Sequence, residues 1–248
     1  MKTINPKLLT LSLAALAMIT LGSSAFAAST WSLNNCSTCA GTGGAASVAV
    51  TAYGVSNAAA STYSLSTIGL NGPSGLGVYS GSDSGSPSHA VDNVSYTDSL
   101  LLNFGAQKVD LDFVKIGWKD TDADISVFRY TGGSATPTPV GLTIAGLAGA
   151  GWTLVGNYAD LAVGTDKAVN TTNSASSWWL LSAYSSAFGN ITSDGSGQTG
   201  LGSLSINNDY FKLAAITGTV VPEPGSLALL GLGLVGLIAS RRHSQKAA

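Results

Sequence analysis

Glutamate is almost absent from this chain of 248 residues, and charge of either sign is sparse. Glu223 is the only glutamate, and charged residues make up 10% of the sequence. Few lysines and glutamates, with frequent glycine, serine and threonine, disfavour helices and favour strands joined by turns. Residues 28–220 hold twelve aspartates against five lysines and one arginine, a formal charge of −6. This acidic balance argues against nucleic acid as a partner.

Histidine is also rare, which limits the catalytic chemistry open to the chain. His89 is the only histidine of residues 28–220, and the serine-rich segment 81–87 has Asp83 at its centre. A nucleophilic serine needs a general base within hydrogen-bond reach, and glycoside hydrolysis needs two carboxylates at a set separation. We therefore expect no enzymatic activity. A small secreted hydrolase is the weakest alternative.

The chain has two cysteines, Cys36 and Cys39, followed by the glycine-rich segment 41–44. A structural zinc site would need two more ligands, and a thioredoxin-like redox motif would need a helix after the pair. Both requirements are unmet by the neighbouring sequence. We therefore predict a local disulfide between the two cysteines in an oxidising compartment.

The N-terminus has the layout of a secretory signal peptide, residues 1–27. Two lysines precede the apolar run 8–21, and Ala25 and Ala27 form a small-residue pattern that signal peptidase cleaves. We expect the mature chain to begin near Ala28.

The C-terminal segment 221–248 has three parts. The first is the box Val221-Pro222-Glu223-Pro224, the second is the uncharged apolar run 225–240, and the third is the tail 241–248 with Arg241 and Arg242. As a helix the run spans about 24 Å, against roughly 30 Å for the hydrocarbon core. We predict that the run forms a short transmembrane helix. Because positive charge marks the cytoplasmic side, the tail should lie inside and the preceding domain outside.

This order of parts resembles the PEP-CTERM sorting signal of Gram-negative, biofilm-forming bacteria. The resemblance implies that an exosortase, a membrane protease, recognises Pro222, Glu223 and Pro224 and processes the chain near them. It further implies a precursor held transiently in the inner membrane and a mature protein at the cell surface or in the extracellular matrix. Exopolysaccharide is the partner expected there. The resemblance implies handling and destination rather than an activity.

The segment 28–220 reads as a single all-β domain, a β-sandwich or jelly roll, because many short apolar segments alternate with glycine, serine and asparagine turns. The predicted strands are 47–53, 99–104, 109–118, 125–130, 152–155, 177–184 and 210–220. The predicted core comprises Leu101, Phe104, Leu111, Phe113, Ile116, Trp118, Phe128, Trp152, Leu154, Leu180, Phe211 and Leu213.

Segment 109–118 shows a phase slip after Phe113, which indicates a β-bulge or a strand buried on both faces. Segments 89–93, 98–104 and 109–118 also look like the core of discoidin-type and other galactose-binding-like jelly rolls. That resemblance implies the fold alone.

Segments 109–118 and 125–130 are predicted to form a hairpin, and Asp120, Asp122 and Asp124 alternate in the turn between them. Alternate aspartates can place carboxylates around one calcium ion, a cation that takes six to eight oxygens. The alternative is a solvated hairpin turn whose carboxylates cap turn amides. A second oxygen-rich segment contains Asp92, Asn93 and Asp98.

Two adjacent tryptophans, Trp178 and Trp179, lie on a predicted strand, where neighbours face opposite sides. One should pack in the core, and the other could stack on a sugar ring or pack at the sheet edge. The leading hypothesis is a non-enzymatic exported surface or matrix protein. The alternative is a lectin-like carbohydrate-binding module, dependent on calcium.

Overall fold

The computed structural model describes residues 27–70, 72–81, 89–188, 204–222, 231 and 233–235, and these are mostly β-strand. Helix there is confined to α1 (Gly146–Gly149), two 3-10 turns at Gly72–Ser74 and Ser186–Phe188, and residues 231 and 233–235. The strands are β1 (Ala28–Ser32), β2 (Thr38–Cys39), β3 (Val48–Ser56), β4 (Ser64–Leu70), β5 (Leu76–Tyr79), β6 (Val91–Asp92), β7 (Tyr96–Asn103), β8 (Lys108–Thr121), β9 (Ile125–Tyr130), β10 (Trp152–Tyr158), β11 (Asp166–Ala168), β12 (Ala175–Ser176), β13 (Trp178–Ala183) and β14 (Asp209–Val221). The prediction of a fold built mostly from strands is confirmed.

The strands form one curled sheet, in the order β10-β9-β13-β7-β3-β4-β5-β14-β8-β11, and every ladder between them is antiparallel. The curl lies at β4, because Ser64–Ser66 pair with β3 whereas Thr67–Leu70 pair with β5. We call the part from β10 to β3 the first half and the part from β5 to β11 the second half.

The main core joins the two halves. Leu102 and Trp179 of the first half belong to one buried cluster with Ile116 and Phe211 of the second. A second cluster covers the opposite face of the first half, where Leu147 of α1 packs with Leu101 and Leu180. Strands buried on both faces are apolar at consecutive positions rather than at alternate ones. This double cover explains the run of three leucines in β7.

The long strands β8 and β14 confirm the predicted irregularity but place it one residue earlier. The pairing passes from Phe113 opposite Thr217 to Leu111 opposite Gly218, so Asp112 is the extra residue. An extra residue reverses the side that the following side chain faces. Phe113 is consequently 39% exposed, and its predicted core position is wrong. Trp118 and Leu154 are half-buried rather than buried.

The predicted hairpin between segments 109–118 and 125–130 is also wrong. β8 pairs with β14, β11 and β12 in the second half, whereas β9 pairs with β10 and β13 in the first half. Residues 122–124 therefore cross from one half of the sheet to the other. A crossing segment is enclosed by both halves, unlike a hairpin turn in solvent. This difference determines the setting of the aspartates.

The predicted disulfide is present, with Cys36 and Cys39 joined at a Cα–Cα distance of 5.4 Å. The predicted signal peptide lies outside the described residues except for its last residue. Of the predicted transmembrane helix, only residues 231 and 233–235 are described, and they are helical. Among all described residues, no helix is both long enough and apolar enough to cross a membrane.

Candidate functional site

Three carboxylates meet where the crossing segment reaches the start of β14. One ligand oxygen from each of Asp122, Asp124 and Asp209 lies within 4.8 Å of the others. A β-bridge between Asp122 and Asp209 brings the two segments together. We call these three residues the aspartate junction. Of the three aspartates predicted to act together, Asp120 does not join it: that side chain is exposed and accepts a hydrogen bond from the Thr121 amide.

Backbone amides hold the junction carboxylates in place. The Asp160 amide donates to Asp124 at 2.8 Å, and the Ser205 amide donates to the same carboxylate at 2.7 Å. Asp209 accepts from the Asp124 amide at 2.7 Å. The Ser205 hydroxyl donates to Asp122 at 2.8 Å. The predicted alternative of a solvated turn is therefore wrong for Asp124, which is fully buried.

Asn93 connects the second oxygen-rich segment to the junction. Its side-chain amide donates to the Asp209 carboxylate and, at 2.9 Å, to the Tyr184 carbonyl. Its side-chain oxygen accepts from the amides of Asn208 and Asp209, each at 3.1 Å. One buried asparagine thus ties three chain segments together. Asp92 instead caps the Val94 amide within its own turn.

The junction concentrates negative charge in a buried place. Within the described ranges the one ion pair joins Lys115 and Asp166, so no cation there neutralises the junction. Burial raises the pKa of Asp124 to about 6. Burial, with the charge of Asp124 added, raises the pKa of Asp209 to about 8. Such a group of oxygens can take up protons or hold a hard cation such as Ca²⁺.

An open groove of about 580 Å³ lies beside the junction. Its walls include Asn93, Tyr184 and the turn 56–61, with residues 143–145 on the other side. The described residues that line it are uncharged, with hydroxyls and amides interspersed among small apolar side chains. A neutral polyhydroxylated ligand matches this lining better than a charged one.

The two tryptophans lie in different surroundings. Trp179 is fully buried, and its indole N–H donates to the carbonyls of Val109 and Ser176 at 3.2 and 3.1 Å. Trp179 is therefore the core member of the pair, and its side chain is not accessible to a ligand. Trp178 points to the other face, packs against the second cluster and lines a pocket of about 510 Å³.

The sorting segment follows directly on β14. Val221 is the last residue of β14, and Pro222 follows without a linker. Comparison with known families finds that the PEP-CTERM protein-sorting motif matches residues 220–242. The chain carries a PEP-CTERM sorting domain. The match covers the predicted box and both Arg241 and Arg242, and it confirms the resemblance drawn from the residues.

The PEP-CTERM motif implies an exported surface protein that depends on an exosortase and passes through a membrane-anchored precursor. Neither a curated protein nor a solved structure matches the chain.

The composition of the junction shows what sequence reasoning missed. Asp209 lies 85 residues after Asp124, so no local pattern connects them. The available signal was the polar string 207–209 directly before a strongly apolar strand. Polar residues at a strand end are positioned to meet a neighbouring loop.

Proposed function

We propose that this PEP-CTERM protein is a non-enzymatic component of the cell surface or of the biofilm matrix. The observation that supports this proposal is that β14 continues directly into the sorting box. β14 is an internal strand paired with β8 along its length, up to Val221 opposite Lys108. Cleavage at or after Pro222 would leave every one of these pairs intact. The mature protein would then be the folded β-domain alone.

The proposed route uses both ends of the chain. Signal peptidase would remove residues 1–27, and the predicted helix 225–240 would hold the precursor in the inner membrane with Arg241 and Arg242 inside. Pro222 and Pro224 favour an extended backbone, which a protease can bind. The exosortase then separates the domain 28–220 from the tail. We propose that this domain is a β-sandwich of the jelly-roll type, since its two halves share one core.

A role without catalysis is supported by the groove beside the aspartate junction. General acid–base chemistry needs a titrating group within reach of the bound substrate. The groove lining consists of uncharged side chains, and burial raises the pKa of its one tyrosine, Tyr184, so that this hydroxyl keeps its proton at neutral pH. The junction carboxylates are not among the residues that line the groove, and Asp124 and Asp209 accept hydrogen bonds from amide donors.

A variant of the box tests the proposal. Glu223→Gln keeps the size of the side chain and removes its charge, so we expect the protein to accumulate as membrane-bound precursor. Ser226→Ala, outside the box, is the matched control and should be released like the natural chain. Both are followed by fractionation and immunoblotting. Equal release of the Glu223→Gln variant would contradict the assignment of the box.

A second candidate function, a calcium-dependent carbohydrate-binding module, is favoured by the convergence of three carboxylates beside an uncharged polar groove. The ion would fix the crossing segment and the start of β14, which are next to that groove. Calcium titration followed by thermal melting tests the metal. Asp122→Asn should weaken the calcium response, whereas Asp120→Asn should leave it unchanged. An unaltered melting temperature of the natural protein on adding calcium would exclude this candidate.

Polysaccharide binding is measured separately, by co-sedimentation with purified exopolysaccharide in calcium and in chelator. The candidate requires binding that the chelator abolishes. Binding that survives chelation would show that carbohydrate binding does not depend on the metal.

A further inference from the structure

A second cavity lies at the opposite end of β13 from the aspartate junction. It has a volume of about 510 Å³ and is formed by the β7–β8 turn, the end of β9 and the start of β13. We call it the Trp178 pocket. Its lining includes Lys108, Arg129, Tyr130, Ser134, Ser176 and Trp178.

The Trp178 pocket is locally basic in an acidic domain. Lys108 and Arg129 are two of only six cations between residues 28 and 220. No aspartate is among the described residues that line the pocket. The single ion pair of the described residues involves Lys115 and Asp166, in the second half of the sheet. The charges of Lys108 and Arg129 are therefore not neutralised by a salt bridge within the described chain.

One carboxylate approaches this pocket through the strand register. Asp110 pairs with Ala175, which lines the pocket. The Asp110 carboxylate, however, is buried and accepts a hydrogen bond from the Asn170 side chain at 2.6 Å. Asp110 is thus engaged beneath the turn 170–174 rather than with Lys108 or Arg129.

Aromatic side chains form part of the same wall. Trp178 is half-buried, and its amide donates to the Ser176 hydroxyl at 3.1 Å, which fixes its backbone. Tyr130 packs on Trp152 with ring centroids 5.1 Å apart, and its hydroxyl accepts from the Ser134 amide at 3.0 Å. Rings held in this way offer apolar faces at low entropic cost, which suits stacking on sugar rings.

We propose that the Trp178 pocket binds a carboxylated polysaccharide, a polymer of uronic acid type. The Arg129 guanidinium would form paired hydrogen bonds with a sugar carboxylate, while Lys108 adds a point charge and Trp178 stacks on a ring. This inference rests on the proposed matrix function and names the ligand class for it.

The same features disfavour nucleic acid and neutral glycans. Duplex DNA carries one charge per roughly 1.7 Å of axis, and proteins bind it through many cations. This pocket offers two, on a domain of formal charge −6. A polyuronate carries only one carboxylate per sugar ring, so two cations and an aromatic ring can match a short segment of it. A neutral glycan would leave both cations without a partner.

The pocket is separated from the aspartate junction. Trp178 begins β13, and Tyr184, one residue after its end, donates its amide to the Asp124 carbonyl at 3.0 Å. Six residues of strand span about 20 Å. This is more than two Debye lengths at physiological ionic strength, so charge at one place has little effect at the other. Polyuronate binding at the pocket is therefore independent of calcium.

Affinity electrophoresis and calorimetry on the exported chain test the proposal. The probes are polygalacturonate, neutral dextran and a DNA duplex, all in chelator. We expect binding to polygalacturonate alone, weakened by salt. Arg129→Ala and Lys108→Ala should each reduce affinity about tenfold or more, and Trp178→Ala by a similar factor. Lys115→Ala removes an equal charge elsewhere and should change affinity less than about twofold.

Several results would overturn the inference. These are equal binding of dextran and polygalacturonate, preferential binding of DNA, loss of binding in chelator, or unchanged affinity in Lys108→Ala. Lys108 is exposed, so its replacement decides the matter even if Arg129→Ala does not fold. If the polyuronate proposal fails, the proposal of exosortase processing still stands, because the length of the mature chain is measured independently of any ligand.

Discussion

Replacing Asn93 by alanine should destabilise the domain more than replacing any exposed polar residue. The Asn93 side chain is 3% exposed and makes four hydrogen bonds. Two are accepted from the amides of Asn208 and Asp209, one is donated to the Tyr184 carbonyl and one to the Asp209 carboxylate. The alanine variant removes all four at once and leaves the partner groups of Asp209 and Tyr184 enclosed.

The magnitude follows from the groups left behind. A buried polar group without a partner costs about 1–3 kcal/mol. Water can reach the half-buried Asn208, whereas Asp209 and Tyr184 are buried. The Asp209 amide, the Asp209 carboxylate and the Tyr184 carbonyl each lose a hydrogen bond. At that cost for each we expect a loss of about 3–9 kcal/mol, which is a large share of the ~5–15 kcal/mol that stabilises a typical domain. The melting temperature should fall by about 10 °C or more.

The assay is urea unfolding of the exported chain, followed by tryptophan fluorescence. Asn103→Ala is the matched control, since that side chain is half-buried and accepts one hydrogen bond, from the Gly105 amide. Its expected cost is below about 1 kcal/mol. If the two variants were destabilised equally, Asn93 would not be the connection that holds β14 to the rest of the junction.

Three further predictions concern pH, backbone and packing. Burial raises the pKa of Asp209 from 3.8 to about 8, so its proton stabilises the folded state below pH 4 and this stability is lost as the pH rises through 8. Titration of Asp209 alone should therefore lower the unfolding free energy in chelator by on the order of 5 kcal/mol between pH 4 and 8, and Asp209→Asn should remove that part of the slope while leaving the part due to Asp124. Gly75 has φ +104°, and an added Cβ would meet the β14 backbone, so Gly75→Ala should cost about 2 kcal/mol or more in thermal melts. Gly133→Ala, which meets no atom within 4 Å, should stay within about 0.5 kcal/mol of the natural chain. Phe104→Ala should cost about 3–5 kcal/mol in urea, because Phe104 is 1% exposed, and a similar cost for the 39% exposed Phe113→Ala would refute the position of the bulge.

Local patterns predicted the strands but not their partners. The apolar residues of 109–118 and 125–130 showed that each segment has a buried face. It carried no information on which strand covers that face, and proximity in sequence wrongly favoured a hairpin. The position of the bulge could not be read for a similar reason: Phe113 is apolar, and only the pairing with β14 shows that Asp112 is the extra residue.

The sorting signal could be predicted from the sequence and the complete aspartate junction could not. This difference has a physical cause. A protease reads the box 221–224 as a linear string, so the string itself contains the information. The junction instead depends on a bridge between Asp122 and Asp209, which only the curled sheet brings together. Two of the predicted aspartates belong to it, and the third position could not be found without the topology.

The central claim is that the folded domain ends at the sorting box and is separated there from its membrane tail. The most direct test is the intact mass of the extracellular protein from hosts with and without the exosortase. We predict a chain that begins near Ala28 and ends between Val221 and Glu223, found only when the exosortase is present. A chain that keeps Arg241 to Ala248 in both hosts would contradict the account.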